Sequence, residues 1–91
     1  MPASSQYTLC DHVSLTEVDD EVVLLDLNNG AYYGLNHIGA DLLKALQHNQ
    51  SVSQAVGQIS ERYQMNSAQV QTDIDELIQE LLKSNLLLNT A

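Results

Sequence analysis

The sequence predicts an α+β fold, a three-stranded antiparallel sheet followed by three helices, and three observations carry that reading. Apolar residues alternate through the first third of the chain, an Asn-Gly pair interrupts the alternation, and from residue 36 onward the apolar spacing turns helical. In the segment His12 to Val18, Val13 and Leu15 fall on one face and Ser14 and Thr16 on the other, the pattern of a half-buried strand. Asp19, Asp20 and Glu21 break it. Glu21 to Leu27 is apolar on both faces, with Val23, Leu25 and Leu27 in phase, which suits a central strand. Asn28-Asn29-Gly30 follows as a hairpin signal, because Asn and Gly both tolerate positive φ. A third strand is then expected over Ala31 to Leu35.

Asn36 stands as an N-cap before a helix reaching about His48, whose apolar stripe is Ile38, Leu42, Leu43 and Leu46. Ser51 and Gln54 have the spacing of a capping box, followed by Val52, Ala55, Val56, Ile59 and Tyr63 on one stripe. Asn66 and Gln69 form a similar start for a third helix carrying Val70, Ile74, Leu77, Ile78, Leu81 and Leu82. It frays at Ser84 and Asn85, and the apolar tail Leu86 to Leu88 folds back on the core. Three short helices and one small sheet make the composition of a winged helix-turn-helix with the sheet placed first. At 91 residues, positions 1–91 read as a single domain.

Charge narrows the function. Twelve carboxylates face three basic residues, Lys44, Arg62 and Lys83, for a net charge of −9. Phosphate backbones and anionic bilayers call for the opposite sign, so neither nucleic acid nor a membrane is an expected partner. Met1 to Tyr7 has neither a basic nor an apolar stretch of signal-peptide type, and the longest aliphatic run, Val22 to Leu25, is far too short to span a bilayer. A cytoplasmic protein with a reduced thiol at Cys10 is expected.

The chemistry-bearing residues do not assemble a catalytic set. His12, His37 and His48 lack any nucleophile signature around them. Gly30, Gly34, Gly39 and Gly57 are too scattered for a phosphate loop. Cys10 and His12 have no distant ligand pair to complete a zinc site. Asp73, Asp75, Glu76 and Glu80 lack the loop spacing of a calcium site and read as a solvated helix face. No enzyme activity, cofactor or metal is expected.

The third strand is the segment that asks for a use. Edge strands are ordinarily blunted by Lys, Pro or a bulge, yet Ala31-Tyr32-Tyr33-Gly34-Leu35 carries no charge and no proline. Such an edge is either covered, here by the N-terminal arm from Ser4 to Leu9, or left open to accept an extended peptide. The residues alone leave both open.

The stretch Leu24-Leu-Asp-Leu-Asn-Asn-Gly-Ala-Tyr-Tyr-Gly-Leu-Asn36, then Ile38-Gly-Ala-Asp-Leu-Leu43, resembles the PqqD-like family. So do Ala55 with Ile59-Ser-Glu-Arg-Tyr63, and Val70-x-x-Asp73-Ile74. The likeness runs over residues 7 to 88. It implies a RiPP recognition element, which binds the leader segment of a ribosomally made precursor peptide. With Tyr7 to Val13 and Val18-Asp-Asp20 at its start, the chain is most similar to stand-alone leader-binding proteins of lasso-peptide biosynthesis. Those work with a cysteine-protease-like leader peptidase and a macrolactam synthetase. The resemblance implies that the leader adds a strand along the backbone of Ala31, Tyr32, Tyr33, Gly34 and Leu35. Val70, Asp73, Ile74 and Leu77 of the third helix would form the opposite wall. Two positions depart from the family pattern: Leu43 stands where many relatives have an aromatic residue, and Ala31 where they tend to have a basic one. The alternatives are a peptide chaperone serving a radical-type maturation enzyme and, from another class, a winged-helix transcription regulator.

Overall fold

A computed structural model describes residues 6–19 and 21–90. In chain order its elements are β1 (Tyr7–Leu9), β2 (Val13–Val18), β3 (Glu21–Asp26), β4 (Tyr32–Leu35), α1 (His37–Gln47), α2 (Val52–Tyr63), α3 (Ser67–Lys83) and β5 (Leu87–Asn89). The three expected strands are β2, β3 and β4, which form an antiparallel sheet in the order β2-β3-β4. The three helices follow, as the apolar periodicity implies.

One pairing was not anticipated. β1 and β5, at opposite ends of the chain, form a second, two-stranded sheet with Leu9 opposite Leu87. Cys10 N–H donates to the Leu86 carbonyl at 3.0 Å, continuing the contact, and Cys10, Leu86 and Leu87 are buried. The tail therefore does fold onto the core, but as a strand. The described part of the N-terminal arm is taken up by β5 instead of covering β4; Ser4 and Ser5 lie outside the described residues.

The register shows which side of the sheet is the inside. Val22, Leu24 and Asp26 of β3 are buried, while Val23 and Leu25 are half-buried and Leu27 is 62% exposed. The core face is thus the parity opposite to Val23, Leu25 and Leu27. Leu35 lies across from Val22 and Tyr33 across from Leu24, so both share the inner face, whereas Tyr32 and Gly34 belong to the outer one. The inner face packs on Leu42, Leu43 and Leu46 of α1, Ala55, Val56 and Ile59 of α2, and Val70, Ile74, Ile78 and Leu81 of α3 in one cluster. Burial of these side chains is the main stabilising term.

Local chemistry sets the helix starts as the sequence implies. Asn36 accepts from Gly39 N–H, and Ser51 and Gln54 complete a reciprocal capping box. At α3, Asn66 accepts from the N–H of Ala68 and Gln69, but the Gln69 side chain donates forward to Asp73 at 3.0 Å instead of back to the cap. Two ion pairs tie elements together, Lys44 to Glu17 at 2.8 Å and Arg62 to Asp41 at 3.2 Å; the first is exposed at both ends, and pairs of that kind add little stability.

The β3–β4 connection is longer than a two-residue Asn-Gly turn. The buried Asp26 holds it from both ends: its carboxylate accepts from Asn28 N–H at 2.9 Å and its carbonyl from Gly30 N–H at 2.8 Å. Only Gly30 takes a positive φ, +75°, and the Asn29 side chain accepts from Ala31 N–H. This loop sets the register of β4 against β3.

Candidate functional site

β4 is an edge strand, and its free edge is the first component of the site. Asp26 N–H donates to the Ala31 carbonyl at 2.8 Å, which fixes the hydrogen-bonding parity of the pair. In an antiparallel ladder the polar backbone groups alternate in direction, so Tyr33 and Leu35 share the parity of Ala31 and turn theirs toward β3. Tyr32 and Gly34 turn theirs outward. No strand pairs with this edge among the described residues. Ala31 lies before the strand, with its carbonyl spent on Asp26 and its N–H on Asn29. Of the five residues expected to supply a ladder, the geometry leaves two able to do so.

Beside that edge runs a groove of about 390 Å³ lined by Tyr33, Gly34, Leu35, Asn36, Ile38, Gly39, Asp73, Glu76, Leu77 and Glu80. Leu35, Ile38 and Leu77 form an apolar floor. Gly39 lets α1 approach closely: a Cβ there would sit 3.1 Å from Leu77 Cδ2 and 3.3 Å from Leu35 Cδ2. The far wall is a single stripe of α3, because Asp73, Glu76, Leu77 and Glu80 recur at i, i+3, i+4 and i+7. The Tyr33 hydroxyl donates to Glu80 and joins strand to helix across the groove. That bond raises the Tyr33 phenol above its ordinary pKa, with burial and the Glu80 charge adding to it.

The expected wall residues divide into two sets. Asp73 and Leu77 do line the groove, together with Tyr33, Gly34 and Leu35. Val70 and Ile74 do not: both are 0% exposed and belong to the core. Ile74 is turned one step around α3 from Asp73, while Val70 lies two turns before Leu77 on nearly the same face and outside the groove lining. The Tyr32 side chain, 77% exposed, stands on the outer face of the sheet, away from the groove. Asn36, Ile38, Gly39, Glu76 and Glu80 were not anticipated. The carboxylates flanking Leu77, from Asp73 to Glu80, were visible in the sequence, but reading them as a solvated helix face left their proximity to β4 out.

Other chemistry is sparse. Cys10 is a buried free thiol whose pKa is raised by burial and by the charges of Asp11 and Asp26. His12 Nε2 lies 3.9 Å from Asp26. Among the described residues no three His, Cys, Asp or Glu side chains converge on a metal position, and no helix is long and apolar enough to cross a membrane.

Residues 21–87 match the family model for coenzyme PQQ synthesis protein D, PqqD. The chain belongs to the PqqD family. Two solved structures share the fold of this PqqD-family chain. TbiB1 in complex with the TbiA(beta) leader peptide is 30% identical, with a TM-score of 0.83 over 92% of this chain and 98% of that one. Lasso peptide synthetase B1 complexed with the leader peptide is 24% identical, with a TM-score of 0.84 over 91% and 98% of the two chains. Among curated proteins none matches. The PqqD-family assignment and the α+β, winged-helix-like class agree with the resemblance drawn from the residues.

Proposed function

We propose that this PqqD-family chain is a non-catalytic, cytoplasmic RiPP recognition element that binds the leader segment of a precursor peptide in lasso-peptide biosynthesis. The leader adds a strand to β4 through the backbone of Tyr32 and Gly34, and its inward side chains enter the groove against Asp73, Glu76, Leu77 and Glu80. The bound precursor is then presented to a cysteine-protease-like leader peptidase, with a macrolactam synthetase acting afterwards. The observation that carries the reading is the unpaired outward parity of Tyr32 and Gly34 directly beside a groove of about 390 Å³ between β4 and α3. Support comes from the two structural relatives, each a complex with a leader peptide. The PQQ-synthesis description of the family model favours a second reading, in which the chain presents its peptide to a radical-type maturation enzyme.

The test is to search the reading frames beside the gene for this chain for a short precursor and to measure the binding of its leader by calorimetry. Binding in the micromolar range or tighter, about −8 kcal/mol or better, is expected for one added strand with two or three anchored side chains. No heat and no competition with a labelled leader would contradict it. Which enzyme follows is decided by adding the chain to the peptidase and to a radical-type enzyme at low precursor concentration and asking which reaction accelerates.

A further inference from the structure

The groove has a one-sided charge that strand addition alone does not use. Asp73, Glu76 and Glu80 line it, and no lysine or arginine does. The chain has only three basic residues. Lys44 is paired with Glu17 and Arg62 with Asp41, both away from the groove, and Lys83 lies beyond its lining. Glu80 accepts the Tyr33 hydroxyl and Asp73 an amide proton from Gln69, bonds that orient the carboxylates without neutralising them. Glu76 has no hydrogen-bond or ion-pair partner among the described residues.

We infer that the peptide seated in this groove carries a lysine or arginine on its groove-facing parity, two positions from an apolar residue, a reading that rests on the proposed strand addition. Inward side chains of an added strand recur about every 6.6–6.8 Å. The stripe from Asp73 to Glu80 spans about 10 Å at 1.5 Å per residue. Two successive inward side chains therefore face it. The apolar one seats on Leu35, Ile38 and Leu77. The basic one lays its methylene stem along Leu77 and puts its charge among Asp73, Glu76 and Glu80. An acidic side chain at that position meets three like charges, so the stripe rejects as well as selects. A metal ion is a poor substitute, because these carboxylates do not converge on one point among the described residues.

The experiment selects short random peptides by display on the parent chain, on Gly34→Pro and on the double variant Asp73→Asn/Glu76→Gln, each first shown to be folded by circular dichroism. The parent pool should hold an apolar residue with Lys or Arg at a fixed offset of two. The basic preference should weaken in the double-variant pool, where only Glu80 of the three carboxylates remains, while the apolar one stays. Affinity of a selected peptide, read by fluorescence anisotropy, should fall about three- to tenfold on the double variant, as expected for partly screened ion pairs. The same peptide with Gln for its basic residue should lose no further affinity on the double variant. Three results overturn the inference. Apolar pools without a basic position leave strand addition standing and remove the charge selection. A basic bias without fixed position, or one undiminished in the double variant, assigns the effect to the overall charge of −9. Pools that bind Gly34→Pro as well as the parent remove the strand addition itself.

Discussion

The Tyr33 hydroxyl donates to the Glu80 carboxylate, joining β4 to α3 across 47 residues of chain and bridging the groove between them. The bond holds the one inward aromatic of the edge strand against the acidic stripe, so that Tyr33 lines the groove while Tyr32, its neighbour, faces away.

The pH dependence of this bond has a defined sign. Tyr33 is a neutral acid whose pKa is raised in the folded chain above the usual 10.0, chiefly by its bond to Glu80. The folded state therefore holds the proton more tightly than the unfolded state. The stabilisation is fully present below pH 10.0 and is lost as pH rises through the folded value. Tyr63, which donates to Asp41 at 2.8 Å, is raised in the same direction. Spectrophotometric titration should find that Glu80→Gln lowers the Tyr33 phenol and leaves Tyr63 where it was. An unchanged Tyr33 titration in Glu80→Gln contradicts the bond.

Core and groove residues of α3 should respond differently to truncation. Ile74 is fully buried, so Ile74→Ala should cost about 2–5 kcal/mol in denaturant unfolding, from lost burial and a residual cavity. Leu77 is only half-buried over the groove, and Leu77→Ala should cost about 1–2 kcal/mol while weakening peptide binding. The reverse order of stabilities would show the two faces of α3 to be assigned wrongly.

Much of the fold was legible because it is local. The caps at Asn36 and Ser51 and the apolar stripes of the three helices are set within a few residues of sequence. The β1–β5 pairing was not, since two three-residue strands at opposite ends of the chain carry no local signal. The inner face of β3 was ambiguous because Val22 and Leu24 on one side are matched by Val23 and Leu25 on the other, and a buried Asp26 blurs the alternation. At the site, the uncharged edge of β4 could be read directly. The α3 wall could not: Ile74 lies one residue-step around the helix from Asp73 and Val70 two turns before Leu77, and tertiary packing alone decides which part of α3 meets β4.

Cys10 should be inert in the folded chain. Burial and the charges of Asp11 and Asp26 raise its thiol pKa, so little thiolate forms at neutral pH. Alkylation should be slow in buffer and approach the rate of a free thiol in urea. Equal rates in both solvents would contradict its burial between β1 and β2.

The charge of α3 argues against DNA binding despite the winged-helix-like shape. The third helix carries Asp73, Asp75, Glu76 and Glu80 against Lys83, and carboxylates set beside phosphates repel. In a mobility-shift titration the chain should bind duplex DNA no better than an acidic control protein. A salt-dependent shift at sub-micromolar protein would restore the regulator reading.

The central claim, that a peptide adds a strand through the outward backbone of β4, is tested most directly at Gly34. A Cβ at this position meets nothing within 4 Å, and its N–H points to the open edge, so Gly34→Pro removes one outward donor without cutting the β3–β4 ladder. Gly34→Ala adds a side chain and keeps the donor. Leader affinities of the parent and the two folded variants, measured by calorimetry, should place Gly34→Ala within about threefold of the parent. Gly34→Pro should be weaker by about tenfold or more, the loss of one backbone bond and the adjoining contacts. Equal affinity of Gly34→Pro and the parent would contradict strand addition at β4.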